Sequence, residues 1–566
     1  KDCGLCSDGR AGACAAAGGA LNGGSGIDFP ENISRYADTR DCADADLDLS
    51  NNFYSGNDAN NGNTLATVGF EGSLDMTESV FDVYNCPEQE VTIVWVDVEE
   101  EVEVDLSSGV GELCSITEDV WVSPNGDNDN LGTSEEEAFL TIQRALEMIA
   151  PKEDDPVTIF LTEGTFAPST NGDDFPIVLN AGVNLIGADK HNTILDAEGS
   201  CGVMLLNQTN HLLLQTVSNL TITGGDSKNN TQSDFIRIKN VGGIYMRWAN
   251  TFLSHLIIDG NIGSGIYMDG GSPLLTDVTF SNNTAFNDGM GHLGEYGGGL
   301  LIFHASPTLT NVTFEGNTAQ EGGALCIKEF SSNASLLNVT ISGNSAEKGG
   351  GVFMNSKESS FNNVTISENN ADNGGGGIYL DGSDENGYVA PYITNSIIWG
   401  NNSEPIYLQE GADPLITYSN IEGGWPGLGN INTDPLFTDP DNGDFSLQNG
   451  SSCIDSGDPF IWNNDSDGSS SDMGAGGGLF LLPNFTSYDF GEVSYFGSNK
   501  VFSFFNFRQT PIIINSIEFS TESFSTNTEF PLIIPSFEEG VINIQANNST
   551  NGLVEDSMLL LSNELP

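Results

Sequence analysis

Apolar and polar residues alternate in short runs that recur through the middle of the chain. The recurring phrase is Gly-Gly-apolar-aromatic-apolar, a polar stretch, Asn-Val-Thr-apolar, then Gly-Asn-x-Ala. Its copies read GSGIYMDGGSPLLTDVTFSNNTA from Gly263, GGGLLIFHASPTLTNVTFEGNTA from Gly297, GGALCIKEFSSNASLLNVTISGNSA from Gly322, GGGVFMNSKESSFNNVTISENNA from Gly349 and GGGIYLDGSDENGYVAPYITNSIIWGNNS from Gly375. Each copy holds two short strands of period two. In register, Ile266, Leu300, Leu325, Val352, Ile378 and Ile406 are separated by 34, 25, 27, 26 and 28 residues, a period near 25 with one insertion. A unit this short cannot bury its apolar face alone and must stack on its neighbours. The pattern predicts an all-β fold, a right-handed parallel β-helix or solenoid of ~25-residue coils with strands ~4.8 Å apart. A second column, Asn219, Asn311, Asn338, Asn363 and Asn395, with His255 and Asp277 filling its gaps, opens another strand of each coil. Stacked amides there predict a hydrogen-bonded ladder from coil to coil.

One segment has helical period. Ser134 to Glu137 reads as a capping box, and Phe139, Ile142, Leu146 and Ile149 then fall on one helical face before Pro151. This predicts a cap helix lying across the first coil, ahead of a strand from Val157 to Leu161, because an uncovered solenoid end is an open sheet edge. Two flanks break the repeat. The alternation in VTIVWVDVEEEVEVDL predicts a hairpin in a β-rich, cysteine-containing module over residues 1–115, and KVFSFFNF with PIIINSIEF predicts a small β-sandwich over 481–566, leaving 116–480 to the β-helix.

Charge narrows the partners. The 566 residues hold 80 Asp plus Glu against 16 Lys plus Arg, a net charge of -64, which excludes a nucleic-acid partner. Only 17% of residues are charged, below the ~25% usual for soluble domains, so the imbalance reflects missing cations. No run of eighteen apolar residues marks a transmembrane segment, and the start at Lys1 without a signal-type run reads as a mature or trimmed product. Cys3, Cys6, Cys14, Cys42, Cys86 and Cys114 crowd the first fifth, which predicts disulfides and an oxidising compartment in preference to a metal site. Cys201, Cys326 and Cys453 stand apart.

Candidate chemistry is sparse. Carboxylates that can hold Ca²⁺ beside an Arg or Lys that can act as base are the pattern to look for, and Lys239, Arg247, Asp259 and Asp269 are the local candidates, in adjacent coils. The longest insertion supplies a second set, Asp288, His292 and Glu295. Acidic turns offer oxygen ligands for Ca²⁺ at Asp127 and Asp129 and at Asp439, Asp441 and Asp444, with DADLDLSNN from Asp44 a third such turn. The ordinary reading of an Asp followed by Gly is a coil corner, and no set has a defined spacing motif.

WVSPNGDNDNLGTSEEEAFLTIQRAL, from Trp121, resembles the opening of secreted bacterial pectate-lyase-like β-helix proteins. ITNSIIWGNNSEPIYL, ITYSNIEGGWPGLGNINTDPLF, DNGDFSLQNGSSCIDSGDP and SDGSSSDMGAGGG, within Ile393 to Gly478, are similar to the closing coils of the choice-of-anchor Q type. YDFGEV, SFEEGVINI and LLLSNE resemble the Ig-like choice-of-anchor D or ASH-type module, with Glu564 where its usual last Asp would stand. The resemblance implies export to the cell surface. Together these readings predict an extracellular structural or adhesive protein that contacts copies of itself, head to tail, or surface glycans. The rival is a polysaccharide lyase or hydrolase using the β-helix groove, by analogy of fold.

Overall fold

The computed structural model describes seven N-terminal strands by their backbone, then residues 116–149, 151, 156–207, 215–229, 241–285, 295–383, 388–460, 463–465, 469–477, 481–483, 490, 497–506, 511–521, 523–535, 539–547 and 558–562. They fall into two compact units, residues 1–122 with 126–157, and residues 123–125 with 158–566.

The first unit begins with parallel strands where the sequence predicts a hairpin. Val94–Val96 pairs with Leu65–Thr67, and Val102–Asp105 pairs with Glu71–Asp75, which pairs in turn with Ala43–Asp48. Phe53–Tyr54 joins Val80–Phe81 in the same sense. Ala43 faces Glu71, Gly72 faces Val102 and Leu65 faces Val94, so strands recur at offsets of 28, 30 and 29 residues. Alternation identifies a strand but not its partner. The described N-terminal strands thus pair in parallel at an interval close to that of the repeats.

The helix of this unit, α1, spans Ile142–Met148 and starts later than the capping box predicts. Ser134 makes no side-chain cap, and the residues after it form a single 3-10 turn, Glu135–Glu137. The true cap is Thr141, whose hydroxyl accepts a hydrogen bond from the Arg144 amide at 3.2 Å. Phe139 lies outside the helix because its amide donates to the Trp121 carbonyl at 2.9 Å, a strand-like bridge beside Val122. Its ring fills space that only glycine leaves, since a Cβ on Gly132 would sit 2.2 Å from it.

The second unit contains the stack. A nine-stranded parallel sheet runs from Ile177–Asn180 to Ile406–Leu408, and a second long parallel sheet carries the Asn-Val-Thr strands. The predicted register is the observed one: Ile266, Leu300, Leu325, Val352, Ile378 and Ile406 face each other strand by strand. Their side chains point inward with Val339, and the interior includes Phe280 and Phe314, stacked at 4.7 Å. The Gly-Gly opening of each copy follows from backbone geometry. Gly349 adopts φ +64°, and a Cβ on Gly350 would lie 2.3 Å from the Asn370 carbonyl of the next coil.

The amide ladder exists, but in a different column from the predicted one. Asn261, Asn283, Asn317, Asn344, Asn369 and Asn401, from the Gly-Asn-x-Ala phrase, are buried inside the coils. Each of the first five donates Nδ2 and backbone N–H to Oδ1 of the next, at 2.9 to 3.1 Å. The predicted column has another role. Asn219, His255, Asp277, Asn311, Asn338, Asn363 and Asn395 all have φ between 50° and 58°, bending the chain between two half-strands. Asn, Asp and His tolerate this left-handed conformation better than other non-glycine residues.

Cys453 and residues 471–477 lie over the outside of the last coils. The Ala475 amide donates to Thr365 Oγ1 at 2.9 Å, Gly474 to the Asn395 carbonyl at 2.7 Å, and Asn363 Nδ2 to the Asp472 carbonyl at 2.9 Å. Met473 and Cys453 thereby cover Ile397. The C-terminal part is two antiparallel sheets of four and three strands. They share one core of Phe502, Phe504, Ile542 and Ile544 from one sheet with Ile512, Ile514 and Ile534 from the other.

Candidate functional site

Pleating sends alternate residues of the nine-stranded sheet outward. In Leu325–Lys328, Leu325 and Ile327 face the interior, so Cys326 and Lys328 face out. The outward column through Cys326 reads Tyr245, Tyr267, Leu301, Cys326, Phe353, Tyr379 and Tyr407. It forms a hydrophobic cluster of its own, packed against Leu205, Tyr296 and Phe303. The rings of Phe353, Tyr379 and Tyr407 stack at 5.5 and 4.7 Å.

Charge gathers beside this column. Glu321 and Lys348 end neighbouring parallel strands and face each other in register. Glu321 Oε2 meets Lys328 Nζ at 2.8 Å, and its Oε1 meets Lys348 Nζ at 3.5 Å. The Lys328 ammonium sits 3.3 Å above the centre of the Tyr296 ring, a close cation–π contact. Burial works to lower the pKa of Lys328, but Cys326, Glu321 and Tyr296 beside it more than reverse this and hold it above the ordinary lysine value. Burial pushes the Cys326 thiol up to about 12, with Lys328 opposing. At neutral pH Lys328 is therefore a fixed cation rather than a base, and Cys326 is a protonated thiol rather than a nucleophile. The arrangement holds paired, half-buried charge against a covered aromatic column.

The predicted catalytic residues separate. Arg247 and Asp269 end adjacent strands in register on this outward face. Arg247 is exposed, while Asp269 is buried and accepts a hydrogen bond from the Tyr245 hydroxyl at 3.3 Å. Asp259 ends a strand of the other long sheet, where it accepts from Ser281 Oγ at 2.7 Å and Asn282 Nδ2 at 2.9 Å. Glu295 precedes Tyr296 at the edge of the charged cluster. Lys239, Asp288 and His292 lie outside the described residues.

The acidic turns hold their own backbones. Asp127 Oδ1 accepts from the Asp129 amide at 3.0 Å, and Asp439 Oδ2 from Asn442 Nδ2 at 2.8 Å. Asp444 accepts from the Ser446 amide at 3.0 Å. The Ser446 hydroxyl and then this amide hold the Asp444 carboxyl below the usual range. Partial burial, then Asp441, raises the Glu368 carboxyl. Among the described residues no group of three or more His, Cys, Asp or Glu side chains is placed to hold a metal ion. Of the acidic segment from Asp44, only the strand Ala43–Asp48 is described, and by its backbone alone.

Glu321, Lys328 and Lys348 are absent from the sequence-based candidates. Their signal was a charge set immediately ahead of Gly-Gly in two successive copies, Glu321 and Lys348, in a chain with few cations.

Parallel coils with an internal amide ladder and a covered aromatic outer column define a parallel β-helix protein. The chain belongs to the DUF1565 family, described as proteins of unknown function, whose model matches residues 124–414. Among solved structures it is similar to pectate lyase Pel9A, with 13% identity, 64% of this chain and 96% of that one covered, and a TM-score of 0.38. It is also similar to pectin methylesterase PemA from Erwinia chrysanthemi, with 11% identity, coverage of 59% and 99%, and a TM-score of 0.30. No curated protein matches the chain.

Proposed function

We propose that the protein is a non-enzymatic extracellular structural or adhesive protein, displayed on a cell surface or assembled into a filament, sheath or layer, that contacts surface glycans or copies of itself. One observation carries this reading: the cations nearest the covered aromatic column are closed on Glu321 and Tyr296, so this face of the stack is built for rigidity around paired charge. In this reading the closing coils are of the choice-of-anchor Q type, the C-terminal sandwich is an Ig-like module, and disulfides join the N-terminal cysteines. The described cysteines, Cys201, Cys326 and Cys453, are free and buried. A net charge of -64 favours bound divalent cations, Ca²⁺ above all, and excess chelator should lower the melting temperature. An unchanged melting curve at moderate salt would remove calcium from the proposal. The main test incubates the purified chain with polygalacturonate, methyl-esterified pectin and neutral polysaccharides and measures soluble products. None is expected, and sustained release would overturn the reading.

A second reading, a polysaccharide lyase or hydrolase, is favoured by the exposed Arg247 guanidinium in register beside the Asp269 carboxylate. Product release abolished by both Arg247→Ala and Asp269→Asn, in variants that melt like the parent, would establish it.

A further inference from the structure

The turn that leaves the nine-stranded sheet has a column of its own: Trp248, Gly270, His304 and Glu329, aligned because Arg247, Asp269, Phe303 and Lys328 share one register. Trp248, His304 and Glu329 have φ of 51°, 53° and 73°. A tryptophan in the left-handed region is strained, and such strain persists where the surroundings enforce it. Here the Trp248 amide is held by the Asp269 carbonyl at 2.9 Å, and Gly270 clears the space beneath the indole. A Cβ on Gly270 would lie 2.6 Å from the ring. The indole is supported from below yet remains 49% exposed. Two coils along is His304, exposed, edge-on to Phe303 at 4.4 Å and hydrogen-bonded through Nδ1 to Ser331 Oγ at 2.8 Å. Phe330, 42% exposed, follows on the next coil.

We infer that Trp248, His304 and Phe330 form a stacking platform for an uncharged polysaccharide lying along the stack axis. The inference rests on the adhesive reading above and names its partner. Flat rings alternate along the row with Arg247, Glu329 and Ser331, matching a pyranose chain whose C–H faces are apolar and whose hydroxyl rim is polar. The step between coils, ~4.8 Å, is close to the length of one sugar unit, so successive residues of a chain meet successive coils in phase. Charge selects among partners. At -64 the molecule repels polyanions, including polyuronates, anionic membranes and other copies of itself unless cations bridge them.

The test is affinity electrophoresis of the full chain in gels containing soluble xylan or mannan, with pull-down on insoluble cellulose and with polygalacturonate as the charged comparison. Retardation or retention by at least one neutral polysaccharide, and none by polygalacturonate, is expected. Trp248→Ala should weaken it at least tenfold and Phe330→Ala severalfold, both with the melting curve of the parent, while Trp248→Phe retains most of it. If Trp248→Ala does not fold, Phe330→Ala and Trp248→Phe carry the comparison. No retention on any neutral polysaccharide, retention indifferent to these variants, or retention on polygalacturonate alone overturns the platform. Release of soluble products would instead overturn the adhesive reading, and a platform that lost retention in Trp248→Ala would stand without it.

Discussion

Two asparagine columns run through the same coils with the same period and do different work. The inner column, Asn261 to Asn401, is buried, and its amides bind each other across the coils. The outer one, Asn219 to Asn395, is chosen for backbone conformation, and its amides are joined to each other in one place, where Asn395 Nδ2 reaches Asn363 Oδ1 at 3.5 Å. A repeated residue in a solenoid thus reports a repeated constraint without saying whether the side chain or the backbone is constrained. Substitution separates the two. A change inside must satisfy buried polar partners, whereas a change at a bend such as Asn311 must chiefly tolerate a positive φ, the amides of Asn363 and Asn395 being tied as well to the segment over the last coils.

The harshest test of the inner architecture is Val339→Asp, between the columns. Val339 is fully buried, so an inward carboxylate would lose hydration without a partner, a loss of about 4 kcal/mol or more. The variant should melt far below the parent or fail to accumulate, and parent-like urea unfolding would mean that the register is wrong. Asn344→Ala comes next. The Asn344 amide donates to the Phe314 and Ser342 carbonyls and to Asn369, and accepts two bonds from Asn317. Orphaning several of these in the core should cost about 3 kcal/mol, read as a lower urea midpoint.

The inward apolar columns are legible because burial repeats the same demand in each coil, so Ile266 through Ile406 recur at nearly constant intervals. The ladder was not, because Asn344 and Asn338 stand six residues apart in every copy and sequence does not reveal which points inward. The hairpin failed for a related reason: alternation near Val94 and Val102 is equally consistent with antiparallel and parallel partners. Phe139 misled because a helical period of four apolar residues included one held by Trp121 and Gly132. Of the site, Arg247 and Asp269 were found as neighbours, whereas Asp259 was assigned with them although it ends a strand of a different sheet. Tyr296, Glu321 and Lys348 stand in register on three successive coils, and only the charges ahead of Gly-Gly hint at their contacts in the sequence.

Unlike the ladder, which contains no ionisable group, the outer cluster should make stability depend on pH. Lys328 has a raised pKa in the folded chain, so its contribution is complete below the ordinary lysine value and is lost as pH rises through the folded value. Lys328→Met removes the tighter of the two ammonium contacts to Glu321, and at neutral pH it should cost about 2 kcal/mol. The difference between variant and parent should shrink when unfolding is repeated above the ordinary lysine value. A difference that stays constant with pH would show that Lys328 acts through its aliphatic stem. Asn344→Ala should show the same difference at both pH values.

The smallest expected effect is the most discriminating for the comparison of columns. Asn311 bends its coil at φ 53°, and its amide N–H donates to the Leu337 carbonyl at 3.0 Å. If the side chain matters only because asparagine tolerates that conformation, Asn311→Ala should cost about 1 kcal/mol, since alanine resists the left-handed region. Glycine enters that region freely but loses more chain entropy on folding, so Asn311→Gly should fall within a few tenths of a kcal/mol of the parent. At the ladder the order reverses, because Asn344→Gly deletes the same buried hydrogen bonds as Asn344→Ala and adds the entropy of glycine. Urea midpoints of the four variants give the answer directly. If Asn311→Gly is as damaging as Asn311→Ala, the outer amides bear load through their side chains, and the two columns are closer in function than their geometry implies.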